Sequence, residues 1–311
     1  MSVRFKKTLS LIIFLAIIAF FIYYIRTHWS EFRQLRVVSW WALMGTFILV
    51  PLSFYIQGLI LKIVVEPFGI YLKFKEYFGL LAITLMGNFL IPFGGLGFRA
   101  IYLRKIYKFS YADFITTLIA VWVINFLIYT TGGLVGLLLL RYRANIFDWK
   151  LAIIFLIVLV GSVIILLPLR LPRMKNRLVV FINHSLGRWR KLFKKPGLIR
   201  NLIYLTVIQF FITTLIFYFC YQVYGFRVNF ADTFLPNCLG LYSFFVRLVP
   251  GNIGIFELAV VYPSKVLGLT IAQGLSVSAV NRLANIVWTF ALGLIFSYIL
   301  VRPFDKEKSE T

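Results

Sequence analysis

The sequence predicts an all-α, polytopic membrane helix bundle of about six full crossings plus two re-entrant hairpins in an inverted repeat. Three observations predict it. Of 311 residues, 61% are hydrophobic and 14% charged. Stretches such as 112–140 and 151–169 hold no Lys or Arg and approach or exceed the roughly 20 apolar residues that cross a hydrocarbon core. The 33 Lys and Arg, against 10 Asp and Glu, fall mainly between apolar runs, as the positive-inside rule distributes them.

The first apolar run, 8–25, follows Arg4, Lys6 and Lys7. No small-x-small cleavage site follows it and it ends in Tyr23-Tyr24-Ile25-Arg26, so it reads as an uncleaved helix rather than a signal peptide. Residues 40–61 form the next crossing. The region 77–108 differs, because its first arm, 77–92, has only 16 residues. If that arm crossed fully from a cytoplasmic N-terminus, the block 170–200, with ten Lys or Arg and no acid, would lie outside. A hairpin that enters and returns on one side keeps the block cytoplasmic. Crossings at 112–140, 151–169 and 201–223 follow. Treating 231–268 as a second hairpin, before a last crossing at 272–301, keeps Arg302 inside. The whole chain, 1–311, reads as one integral membrane domain with cytoplasmic termini. It divides into a first repeat, 40–140 with hairpin 77–108, a basic cytoplasmic linker, 170–200, and a second repeat, 201–301 with hairpin 231–268. The linker, with Val179-Val180-Phe181-Ile182 and Trp189, is either a topology anchor or a surface for anionic headgroups.

Each hairpin carries a similar interruption. The first reads Asn88-Phe89-Leu90-Ile91-Pro92-Phe93-Gly94-Gly95-Leu96-Gly97-Phe98-Arg99, and the second Arg247-Leu248-Val249-Pro250-Gly251-Asn252-Ile253-Gly254-Ile255-Phe256-Glu257. Broken helices repeated in two halves point to a substrate site, because a bilayer tolerates unpaired backbone only beside protein or water. The long helices after them also match. Trp122 and Asn125 stand twelve and fifteen residues after Ser110, as Arg282 and Asn285 do after Thr270.

Glu257 and Arg282 are the foremost candidates, since a charge at the bilayer centre costs at least about 2.5–3.5 kcal/mol and normally finds a partner or a cavity. They hold either a lipid headgroup, with Arg as a fork for phosphate, or a structural ion pair. Arg247 is a third candidate. Arg99 precedes Arg104, Lys105 and Lys108 at roughly helical spacing, which predicts a basic face at the cytoplasmic interface with snorkelling stems, either solvated or touching headgroups. Asn88, Asn125, Asn252 and Asn285 place amides at matching depths, serving as lining or as interhelical glue. Gly251 and Gly254, after Pro250, permit the tight turn. Asp113 and Asp232 sit where helix caps belong.

Other functions find little support. Cys220, Cys238, His28 and His184 are isolated, so neither disulfides nor a metal site are expected. No two acids lie within four residues of each other before the C-terminal tail, and no HExxH or P-loop occurs. No catalytic residue, cofactor or nucleic-acid partner is expected.

At the residue level the chain resembles the flippase-like transmembrane module of the lysyl-phosphatidylglycerol synthases (multiple peptide resistance factors) and its stand-alone relatives. The sharpest match is Pro250-Gly251-x-x-Gly254-x-x-Glu257 followed by Arg282, and the resemblance carries those five residues over. The first half departs: Phe98, Val121-Trp122 and Asn125 stand where that family has charged groups. The resemblance implies translocation of a phospholipid or lipid-linked headgroup between leaflets of a prokaryotic cytoplasmic (inner) membrane. The soluble lysyltransferase domain is expected to be absent, and the chain not to be an enzyme. Partners implied are membrane lipids, an anionic phospholipid foremost, with a homo-oligomer or a separate lipid-modifying enzyme also open. A membrane enzyme or accessory subunit in glycolipid or isoprenoid-linked glycan metabolism is the alternative; it would need acids at the cytoplasmic rim, where Glu66, Glu76 and Asp148 are scattered. A scaffold in which Glu257 and Arg282 only hold the fold is the third reading.

Overall fold

The computed structural model describes residues 35–166, 196–246 and 250–309, with positions 23, 26, 27, 29 and 33. Most of the run 8–25 and most of the basic block 170–200 lie outside the described residues, as does Arg247. Among the described residues every regular element is helical. In order these are α1 (Trp40–Val65), α2 (Phe74–Leu90), α3 (Gly94–Tyr107), α4 (Tyr111–Ala144), α5 (Trp149–Leu166), α6 (Pro196–Gln222), α7 (Phe234–Ser243), α8 (Ile255–Val266) and α9 (Ile271–Ser309), with single 3-10 turns at Glu66–Phe68, Phe230–Thr233 and Pro250–Asn252.

Five of these, α1, α4, α5, α6 and α9, are long and apolar enough to cross a membrane. They coincide with the crossings expected at 40–61, 112–140, 151–169, 201–223 and 272–301. Their outer faces stay apolar, as on Ile153, Ile157 and Val160 of α5, while Leu151, Ala152 and Phe155 of the same helix are buried. An apolar surface on every side of a helix is the pattern of a lipid-exposed bundle. One core joins α1, α2, α6 and α9 through Val50, Phe54, Leu80, Leu81, Tyr221 and Phe296. A second joins α4 to α7 through Tyr129, Leu137, Phe155, Phe210 and Leu235.

The helix starts follow local hydrogen-bonding rules. Ser110 caps α4 by accepting the Asp113 N–H at 3.1 Å. Thr270 caps α9 reciprocally: its hydroxyl accepts the Gln273 N–H at 3.2 Å, and Gln273 Oε1 accepts the Thr270 N–H at 2.9 Å. Both arrangements satisfy N–H groups that a helix start leaves without partners.

At 17 residues, α2 is about 26 Å long, short of the roughly 30 Å hydrocarbon core. After Ile91 and Pro92 the chain turns at Phe93, whose φ is 61°, and α3 folds back along α2. Gly95 sets their separation, since a Cβ there would lie 1.9 Å from the Thr84 carbonyl oxygen. The far ends of the pair are tied by the Tyr107 hydroxyl, which donates to Glu76 Oε1 at 2.5 Å. Burial first, then that carboxylate, raises the phenol well above its usual value, so it stays a donor at physiological pH.

The second pair, α7 and α8, is fastened at the opposite end of α4. Arg143, in the last turn of α4, pairs with Asp232 just before α7. Asp148, in the turn after α4, accepts the Tyr262 hydroxyl of α8 at 2.9 Å. The 34 residues of α4 separate these fastenings from Ser110 by about 50 Å.

Candidate functional site

The second break is built from three departures from helical backbone within four residues. Gly251, Asn252 and Gly254 have φ of 64°, 55° and 87°. Glycine adopts such values freely, and asparagine more readily than most residues. Asn252 is fixed further by its side chain, whose Nδ2 donates to the Ser243 carbonyl and hydroxyl, each at 3.0 Å.

Glu257 is the third residue of α8. One carboxylate oxygen accepts the Gly254 N–H at 2.6 Å, which is half of a capping box. The other lies 2.5 Å from Nε of Arg282 on α9. That Nε makes no directed hydrogen bond, so the pair is held by Coulomb attraction at that atom. The rest of the guanidinium is engaged as well. Nη1 donates to the Gly251 carbonyl at 2.8 Å and Nη2 reaches the Asn252 carbonyl at 3.4 Å. The guanidinium carbon lies 5.3 Å from the centre of the Phe256 ring.

The side chains of Arg282 and Glu257 are only 16% and 11% exposed. Removing one partner of such a pair costs about 3–5 kcal/mol, because the other charge is left without compensation. The arrangement stitches the irregular backbone of the break to a long regular helix. It leaves one buried acceptor, Asn252 Oδ1, without a partner.

The structure therefore brings Gly251, Asn252, Gly254, Glu257 and Arg282 together. Pro250 begins the 3-10 turn of the break. The other described candidates do not join this cluster. Asn285 donates to the Asn281 carbonyl at 2.8 Å and its side-chain oxygen at 3.0 Å, one turn back on its own helix. Asn88 accepts the Leu96 N–H at 3.2 Å and so caps the first break. Asn125 is half-buried on α4. Trp122 packs against Phe245 just before the second break, with ring centres 5.1 Å apart.

Arg99 departs from the expected basic face. Arg104, Lys105 and Lys108 are exposed as that face requires, and Arg104 lies over Tyr111 at 4.7 Å. Arg99 is only 8% exposed. The close approach at Gly95 rotates the face carrying Gly95, Arg99, Tyr102 and Leu103 into the bundle. Its guanidinium carbon sits 5.4 Å from the centre of the Phe114 ring, and Nε is buried without a hydrogen bond. A cation–π contact is worth about 2 kcal/mol when desolvated, whereas burying a charge costs several.

The two breaks approach each other. Phe89, near the end of α2, lies against Gly251, where a Cβ would be 3.2 Å from its ring, and stacks edge-on with Phe290 of α9 at 5.7 Å. Sequence reasoning missed the ties Arg143–Asp232, Tyr262–Asp148 and Tyr107–Glu76. Asp232 carried a partial signal, since it does serve as a cap by accepting the Asn229 N–H at 3.1 Å. Among the described residues no group of three or more His, Cys, Asp or Glu side chains is placed to hold a metal ion.

The family model described as "Lysylphosphatidylglycerol synthase TM region" matches residues 8–293. No curated protein and no solved structure matches the chain.

Proposed function

We propose, from the premise that the chain belongs to the lysylphosphatidylglycerol synthase transmembrane-region family, that this multi-pass membrane protein translocates a phospholipid or lipid-linked headgroup between leaflets. The observation that carries the reading is the buried Glu257–Arg282 pair at a helix break. Charged groups inside a bundle mark substrate pathways in membrane proteins, and broken helices mark the sites themselves.

Arg282 holds the break closed by pairing with Glu257 and with two carbonyl oxygens. A headgroup phosphate offers the same guanidinium a bidentate acceptor. Exchange of Glu257 for phosphate frees Glu257 and the Gly251 and Asn252 carbonyls to receive an ammonium or hydroxyl group. The unpartnered Asn252 Oδ1 adds an acceptor at the same place. Acyl chains remain outside, against the apolar flanks.

The inverted, re-entrant arrangement belongs to this proposal. It is supported by the ties at the ends of each helix pair. Glu76 and Tyr107 close the first pair on the side where α4 begins, whereas Asp232 and Tyr262 fasten the second where α4 ends. Contact between Phe89 and Gly251 supports a meeting of the two tips. A prokaryotic inner membrane with cytoplasmic termini, and an anionic phospholipid as substrate, complete the reading.

The test is leaflet exchange of a fluorescent-headgroup phospholipid in vesicles containing the purified protein, followed by quenching from outside. Wild type is expected to accelerate exchange. Arg282→Lys keeps the charge but loses the fork, and Glu257→Gln keeps the shape but loses the charge; both are expected to abolish acceleration while eluting as wild type. Unchanged exchange in both variants removes the pair from the mechanism. Full activity in the charge-swapped Glu257→Arg/Arg282→Glu protein would assign the pair to holding the fold alone.

A further inference from the structure

Arg99 is a cation enclosed in the first helix pair with no counter-charge. None of its nitrogens makes a hydrogen bond or ion pair among the described residues, and Nε is shielded from solvent. A guanidinium cannot discharge itself by losing a proton at physiological pH. The acids nearest in the chain are already committed. Asp113 accepts the Ser110 hydroxyl at 2.5 Å. Glu76 takes the Tyr107 hydroxyl and the Lys73 N–H, at 2.5 and 2.8 Å. Glu257 belongs to Arg282.

We propose that Arg99 is the recognition point of a second anion site, which takes a phosphate group from the side where α3 ends. The Phe114 ring, 5.4 Å from the guanidinium carbon, backs the cation and orients it. It cannot neutralise it, so the fork keeps its preference for a bidentate oxyanion. Arg104, Lys105 and Lys108, exposed further along the same helix and just past its end, raise the local concentration of anions at the approach. The contrast with Arg282 is chemical. Arg282 already holds a carboxylate and two carbonyls, so an incoming anion must displace a partner there, whereas at Arg99 it displaces none.

The ligand chemistry is a phosphate mono- or diester, supplied either by a phospholipid headgroup or by soluble phosphate. The site rests on the bilayer-embedded reading and not on translocation. Affinity that depends on Arg99 in a protein failing the leaflet-exchange assay would leave this site standing and the translocator reading overturned.

The experiment uses the full chain in a neutral detergent, titrated separately with short-chain phosphatidylglycerol, diacylglycerol of equal chain length, and inorganic phosphate. Tryptophan fluorescence reports binding and thermal unfolding. Phosphatidylglycerol is expected to bind wild type and raise its Tm, with diacylglycerol inactive. Arg99→Gln is expected to weaken phosphatidylglycerol binding by about tenfold or more, with Arg99→Lys in between. Without lipid, Arg99→Gln is expected to melt at or above the wild-type temperature, since an unpaired buried charge has been removed. Phosphate that competes with phosphatidylglycerol would identify a soluble anion as sufficient, and phosphate without effect would identify the headgroup; either result supports the site. Three results would overturn it: Arg99→Gln binding phosphatidylglycerol within about twofold of wild type, diacylglycerol stabilising as well as phosphatidylglycerol does, or both Arg99 variants melting below wild type without lipid.

Discussion

The break after α2 and the break before α8 use the same ingredients, a proline, glycines and a nearby arginine, and close in different ways. At the second break closure is electrostatic: Arg282 binds Glu257 and two backbone carbonyls across to α9. At the first it is steric: Gly95 lets α3 lie directly on the Thr84 carbonyl, and Asn88 caps the turn. The second arginine is engaged by the fold, so an anion reaches it only by exchange with a partner, and the first is left over. The difference teaches that a buried cation in a membrane bundle is informative only together with its partners. One with partners holds backbone in place and gives way only by exchange, and one without is directly available to something else.

The largest expected effect breaks the electrostatic closure. Arg282→Ala leaves Glu257 buried without a partner and is expected to destabilise the protein by about 3–5 kcal/mol, read as a lower SDS-titration midpoint in mixed micelles. Adding Glu257→Gln to that variant should recover much of the loss. Next comes the steric closure. Gly95→Ala forces a methyl group onto the Thr84 carbonyl, with an expected cost of about 1–3 kcal/mol on the same titration. A second-site substitution of a charge should not rescue it, which separates the two kinds of closure. Tyr107→Phe opens the tie at the mouth of the first pair and is expected to cost about 1 kcal/mol; hydrogen exchange should rise at the α2 start and α3 end and stay unchanged near α8. The smallest effect has the opposite sign. Gly97, two residues from Gly95, faces open space, so Gly97→Ala is expected to stabilise α3 by up to about 1 kcal/mol through helix propensity alone. If Gly97→Ala proved as harmful as Gly95→Ala, close packing would not be what holds the first break.

The crossings were readable because hydropathy is local. The predicted 112–140 and the observed Tyr111–Ala144 differ mainly at the far end, where Arg141, Tyr142 and Arg143 continue the helix and an apolar scan stops. The pairing of Glu257 with Arg282 was readable because both charges sit in apolar runs and the cost of isolating either is large. The burial of Arg99 was not. Its spacing from Arg104, Lys105 and Lys108 fits one exposed stripe, and only the rotation of α3 against α2, fixed at Gly95, removes it from that stripe. The amides were readable as polar positions, yet three of the four bond within their own break or helix. The ties to Asp232 and Asp148 join residues 89 and 114 positions apart, and no local pattern encodes such distances.

Contacts hold α4 near both ends: Arg104 of α3 lies over Tyr111 at its start, and Arg143–Asp232 and Tyr262–Asp148 fasten the second pair at and just past its far end; a rigid rod held in this way behaves as a rocker. From its middle to either end is about 25 Å, so a tilt of about 5° carries each end about 2 Å, in opposite directions. Loosening the contact at one end is therefore expected to shift the contact at the other, which couples the two helix pairs. A straight helix, placed between two bent pairs, is thereby the part that converts a local disturbance on one side into displacement on the other.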